Sequence, residues 1–163
     1  MKSISFFLLI IFFATFLFSS CKKNESAPEP TSSPAPTTFT FKVDGTAVTV
    51  DSANAVLYNL GVSPYNREID VYAFKAGQQV LEMHFHPVAA TYNASMSFDV
   101  AWLTYDEGID TYDSQSGKLV LTTCDTVNNK IAGTFNFVGK LYTGSATKTI
   151  TEGNLLVTKL LRQ

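Results

Sequence analysis

Cysteine is scarce in this sequence, and the scarcity limits how the fold can be held together. The 163 residues contain two cysteines, Cys21 and Cys124. If Cys21 is modified, as argued below, Cys124 is the only thiol left and no intramolecular disulfide can form. The domain must then be stable through its hydrophobic core alone, even in an oxidising compartment.

Excess positive charge and catalytic motifs are also missing. Lys and Arg total 12 against 14 Asp and Glu, a formal charge of −2. Nucleic-acid binding needs a basic stripe that neutralises phosphates, so this balance argues against a nucleic-acid partner. The sequence contains no Ser-His-Asp order, phosphate loop or nucleophile elbow. We therefore expect no enzymatic activity.

The longest apolar run lies at the amino terminus and is too short to span a membrane. As a helix, the run from Ile4 to Phe18 would be about 22 Å long, against a hydrocarbon core of about 30 Å. Lys2 precedes the run, and Leu17-Phe18-Ser19-Ser20-Cys21 at its end resembles the bacterial lipobox. We therefore expect residues 1–20 to be a lipoprotein signal peptide and Cys21 to carry lipid, including palmitate. The alternative is an ordinary secreted protein whose Cys21 stays a thiol.

Residues 21–37 are predicted to be the lipidated cysteine and a tether. Four prolines alternate there with Ala, Ser, Thr and Glu, and no apolar periodicity is present. Such a segment cannot bury enough apolar surface to fold, and proline favours an extended chain of up to about 50 Å. The protein would be held in the bacterial cell envelope by lipid in the outer membrane. Whether the domain faces the periplasm or the cell surface is left open.

Residues 38–163 have the two-residue periodicity of β-strands. Apolar residues alternate on both sides of Asp44-Gly45, and a second pair of strands flanks Ala76-Gly77, so each dipeptide predicts a hairpin turn. Gly153 predicts a bulge or a bend in the last long strand. The stretch Tyr105 to Asp113 is acidic and is predicted to be irregular. Together these patterns predict an all-β domain, an antiparallel β-sandwich or short barrel of about eight to nine strands built from hairpins.

Three segments carry a resemblance to a known family. They are Phe41-Lys-Val-Asp-Gly45, the run from Gly117 to Phe137 with Lys130-Ile-Ala-Gly-Thr-Phe-Asn-Phe137 at its end, and Lys148-Thr-Ile-Thr-Glu-Gly-Asn154. In this order they resemble the small all-β lipoproteins of unknown function that are common in Bacteroidetes. The resemblance implies the fold and an envelope location. It implies no activity and no catalytic residues.

The sharpest chemical pattern is Glu82-Met83-His84-Phe85-His86. On a strand, residues two apart share a face, so Glu82, His84 and His86 would align while Met83 and Phe85 enter the core. Two imidazoles and a carboxylate so placed could bind zinc. The alternative is the polar face of an amphipathic strand, which predicts the same alternation.

Two other patterns have both a functional and a structural interpretation. Calcium could bind the acidic stretch Asp106 to Asp113, but its spacing departs from the calcium-loop pattern, and a solvated loop is the better prediction. Trp102 with Tyr105 and Tyr112 could form a sugar-stacking platform, but sharing a face with Phe98 and Val100 predicts that Trp102 packs in the core.

The function that the sequence favours is therefore a lipid-anchored, non-catalytic binding or interaction module. Its membrane contact would be the lipid on Cys21, and its protein or small-molecule partner is not specified. The alternatives are a zinc-binding protein that uses Glu82, His84 and His86, and a structural component of the envelope.

Overall fold

A computed structural model describes residues 38–61, 66–96 and 101–163. These ranges belong to one compact unit, Ser33–Gln163. The predicted signal peptide, Cys21 and the tether lie outside the described residues, as do Phe98 and Val100. In the ranges that are described, no helix qualifies as a membrane span.

The described chain is all-β, as predicted, and forms eleven strands where the periodicity predicts eight or nine. The strands are β1 Phe39–Val43, β2 Thr46–Thr49, β3 Ser52–Asn59, β4 Arg67–Lys75, β5 Gln78–Phe85, β6 Thr91–Asn93, β7 Trp102–Glu107, β8 Asp110–Asp125, β9 Lys130–Leu141, β10 Thr147–Val157 and β11 Leu160–Arg162.

The strands belong to one strongly curled sheet, a half-barrel. Their order is β11-β3-β4-β5-β7-β8-β9-β10-β1-β2, and β6 pairs with β8 beside this path. The curl brings together strands that are distant in the sheet, since the rings of Phe41 on β1 and Tyr105 on β7 lie 6.1 Å apart. The sheet is mixed rather than purely antiparallel, because β11 pairs with β3 in parallel through Leu160 and Ala55.

Both predicted hairpin turns are present. Asp44 and Gly45 join β1 to β2 with φ of 48° and 83°, and Ala76 and Gly77 join β4 to β5 with φ of 50° and 76°. Positive φ at both central residues is the geometry of a primed turn, whose twist matches that of the two strands.

The stretch Tyr105 to Asp113 is not irregular, which corrects the prediction. It contains the end of β7, a turn at Gly108 with φ of 67°, and the start of β8. Tyr105 and Tyr112 are buried in the core, and Asp106 and Asp113 occupy the positions that alternate with them. Lys118 to Cys124 is the second part of the 16-residue strand β8.

One hydrophobic cluster fills the inside of the curl. Phe135 on β9 lies 5.6 Å from Phe39 and 6.0 Å from Phe41, measured between ring centroids. The ladder between β9 and β10 shifts register between Ile150 and Gly153, where the bulge is predicted. A Cβ at Gly153 would lie 2.5 Å from the carbonyl oxygen of Phe135, so this close approach requires glycine.

Candidate functional site

The candidate site lies on the face of β4, β5, β7 and β8 that points away from the core. Ile69, Val71, Met83 and Phe85 are buried in the core, so the residues that alternate with them occupy the other face. These include Glu68, Asp70 and Tyr72 on β4 and Glu82 and His84 on β5. Asp70 pairs with His84 and Tyr72 with Glu82 across the two strands. The predicted alternation of Glu82 and His84 with Met83 and Phe85 is confirmed.

His84 is held between two carboxylates. Its Nδ1 lies 2.5 Å from Oδ1 of Asp70, and its Nε2 contacts the carboxylate of Glu68. Tyr72 donates a hydrogen bond of 3.0 Å to the other oxygen of Asp70. Burial works to lower the pKa of His84, but the hydrogen bond and charge of Asp70 and the charge of Glu68 outweigh it, so the pKa is raised. Protonated His84 can therefore balance these two carboxylates.

The three predicted zinc ligands do not come together as a metal centre. His84 has Asp70 and Glu68 at its two ring nitrogens, and half-buried His86 follows the last residue of β5. Across residues 38–61, 66–96 and 101–163, no group of three His, Cys, Asp or Glu side chains is arranged to hold a metal ion. The zinc site remains a prediction that this geometry does not favour.

Trp102 lies on the polar face rather than in the core, which corrects the prediction. It is half-buried, while the next residue, Leu103, is fully buried. Its Nε1 donates a hydrogen bond of 3.1 Å to Oδ1 of Asp113, and its ring meets that of His84 edge-on at 6.4 Å. Tyr105 and Tyr112 are in the core, so they do not form a sugar-stacking platform with Trp102.

Trp102 lines a cleft of about 520 Å³, within the size range of small-molecule sites. We call it the acidic cleft. It is lined by four carboxylates together with side chains from β5, β7, β8 and the end of β9: Gln79, Glu82, Trp102, Thr104, Asp106, Ile109, Asp110, Thr111, Asp113, Leu141, Tyr142 and Thr143. A smaller cavity of about 200 Å³ adjoins it and is lined by Asp70, Glu82, His84, Trp102 and Thr104.

Hydrogen bonds fix the carboxylates along one wall of the acidic cleft. Nε2 of Gln79 donates to Glu82 at 3.3 Å and to Asp106 at 3.2 Å, and the hydroxyl of Thr111 donates to Asp106 at 2.8 Å. Burial raises the pKa of Glu82, and the charges of Asp70 and Asp106 raise it further. The negative charges are therefore crowded against one another.

The remaining thiol, Cys124, lies apart from this site on β8. It is free and half-buried, and burial raises its pKa. A thiol with a raised pKa is a poor nucleophile.

The sequence patterns do not predict most of the acidic cleft. Gln79, Thr104, Asp106 and Asp113 were not singled out as one site, because the register that joins their strands is not visible in the chain. The signal that could have found them is the alternation of polar Trp102, Thr104 and Asp106 with buried Leu103 and Tyr105.

Comparison with known proteins gives no further guide. No protein-family model matches this chain, and no curated protein or solved structure matches it significantly. The resemblance to small all-β lipoproteins of Bacteroidetes remains a prediction.

Proposed function

We propose that this protein is a lipid-anchored binding module of the bacterial cell envelope that binds a small molecule in the acidic cleft. The observation that carries the proposal is the cleft itself, a concave space of about 520 Å³ in which Trp102 lies beside carboxylates from three strands. Binding sites combine an aromatic contact surface with a few fixed polar groups, and this cleft has both.

The cellular part of the proposal comes from the amino-terminal sequence. Residues 1–20 would direct export, lipid on Cys21 would anchor the protein in the outer membrane, and residues 21–37 would hold the domain away from the bilayer. The chain would thus belong with the small all-β lipoproteins that it resembles. Of a sandwich and a short barrel, the strong curl of the sheet favours the short barrel.

A binding role without catalysis is the form of function that we propose. The potential nucleophile Cys124 has a raised pKa, and His84 is engaged with Asp70 and Glu68. The carboxylates of the cleft are suited to accept hydrogen bonds from a bound molecule.

Trp102 offers a direct test because it is the only tryptophan of the chain. The full protein would be purified from membranes in mild detergent and titrated with the small-molecule fraction of an envelope extract. We expect a saturable change in tryptophan emission. T111F should abolish it, because the added ring would enter the cleft at Thr111.

The matched control is T122F, which adds the same ring to an exposed position of the same strand. T122F should respond like the wild type. No emission change in the wild type, or an equal change in T111F, would refute a binding role for the cleft.

A further inference from the structure

The acidic cleft contains a buried carboxylate whose hydrogen bonding is incomplete. Asp113 is only 3% exposed, and its Oδ1 accepts the hydrogen bond from Trp102. The described part of the chain supplies no hydrogen bond to its Oδ2. Asp70, buried to a similar degree, is bonded at both oxygens, by His84 and Tyr72. Oδ2 of Asp113 is not fully enclosed, so it retains capacity for a donor from a molecule in the cleft that Asp113 lines.

Thr104 gives an independent indication. It is 91% buried, since only 9% of its surface is exposed, and it lines both the acidic cleft and the smaller cavity beside it. Within the described ranges no protein group forms a hydrogen bond with its hydroxyl. The hydroxyl oxygen is not fully enclosed, so a molecule bound in the cavities that Thr104 lines can supply its hydrogen-bond partner.

The charge of the cleft specifies the kind of molecule. Its described lining has four carboxylates, Glu82, Asp106, Asp110 and Asp113, and no Lys, Arg or His. Lys140, the cross-strand partner of Asp113, does not line the cleft but lines a neighbouring groove that shares Asp113, Leu141 and Tyr142 with it. The chain as a whole is nearly balanced, with a net charge of −2, so the negative charge is concentrated here.

Three of the donors that line the cleft are already used. Gln79, Thr111 and Trp102 each direct a hydrogen bond at a carboxylate of the wall. The cleft therefore presents mainly acceptors, and a ligand that fits it must bring donors and positive charge. A ring of tryptophan beside the carboxylates favours the same ligand, because its face attracts ammonium groups.

We propose that the acidic cleft binds an organic cation, a short-chain amine that carries one or more ammonium groups. An ammonium N–H would donate to Asp113 and Glu82, and the hydroxyl of Thr104 would contact the same group. The alkyl part would pack along Trp102. A bare metal ion fits less well, because the described residues contain no arrangement of three metal ligands and the cleft is far larger than an ion. The inference rests on the proposed binding function and names its ligand class.

Spermidine is a suitable probe, with 1,8-octanediol as a neutral control and Mg²⁺ as a control for charge alone. The full protein in mild detergent would be titrated with each, with Trp102 emission and calorimetry as readouts. We expect spermidine to bind saturably and the two controls not to bind. D113N should weaken spermidine binding at least about tenfold, because a charge-assisted hydrogen bond is lost.

Two further variants keep the test falsifiable if D113N does not fold. T104V replaces the hydroxyl with a methyl group and should weaken binding several-fold. E152Q neutralises an exposed carboxylate outside the cleft and should bind as the wild type does. Equal binding by wild type, D113N and T104V would overturn the inference, as would binding of octanediol or Mg²⁺ at the same concentration.

The same measurements distinguish failure of the cation inference from failure of the proposed binding function. If envelope extract changes the emission of wild type but not of T111F, and neither spermidine nor the cation fraction of that extract does so, the cleft binds a ligand and the cation inference is wrong. If neither extract nor spermidine acts on the wild type, both proposals fail.

Discussion

Replacement of His84 should lower the stability of the domain by a measurable amount. The imidazole separates Asp70 from Glu68, and H84Q would leave these two carboxylates without the cation between them. Removing one partner of a buried ion pair costs about 3–5 kcal/mol of unfolding free energy. The three side chains keep 12% to 21% exposure, so water screens the charges in part. We therefore expect a loss of about 2 kcal/mol for H84Q in slightly acidic solution.

The pH dependence of this loss is the sharper part of the prediction. The pKa of His84 is raised in the folded state, so the folded protein binds the proton more tightly than the unfolded chain. Its contribution is fully present below the unfolded pKa of about 6.5 and is lost as the pH rises through the folded value. The unfolding free energy of the wild type should therefore fall over this range, and H84Q should lack this fall.

Urea unfolding of the domain, followed by circular dichroism at a series of pH values, measures both effects. H86Q is the matched control, since it removes the other histidine and leaves Glu68, His84 and Asp70 in place. Wild type and H86Q should give similar pH profiles. The argued role of His84 would be refuted if the unfolding free energies of wild type and H84Q changed with pH in parallel. It would also be refuted if the two proteins were equally stable in acidic solution.

Two other predictions concern the core and the anchor. G153A should cost about 2 kcal/mol, because the new methyl group would lie 2.5 Å from the carbonyl oxygen of Phe135, and thermal unfolding should show a midpoint several degrees lower. An unchanged midpoint would contradict the close packing of β9 on β10. C21S should abolish palmitate labelling and release the protein from the membrane fraction, and persistent labelling would rule out lipidation at Cys21.

The features that the sequence predicted well are local ones. Asp44-Gly45 and Ala76-Gly77 demand positive φ, which is a property of the turn itself. The buried alternation of Met83 and Phe85 with Glu82 and His84 follows from the period of a strand. Both kinds of feature depend on neighbours in the chain, so they can be read without knowing the fold.

The features that were missed depend on how strands meet. Acidic composition predicted a loop from Tyr105 to Asp113, yet a half-exposed strand needs an apolar residue only at every second position, and Tyr105 and Tyr112 supply it. The apolar neighbours of Trp102 in sequence predict a core position, but Leu103 takes the buried side. The acidic cleft itself requires the register of β5, β7 and β8, which side-chain patterns alone do not determine.

The central claim, that the acidic cleft holds a small molecule, is tested most directly by native mass spectrometry of the full protein purified from the envelope. The spectrum would be recorded before and after denaturation, for wild type, T111F and T122F. The account predicts that wild type and T122F carry an additional small mass that denaturation releases, and that T111F does not carry it. A wild-type protein that shows only its own covalent mass, or a T111F variant that retains the same added mass, would contradict the account.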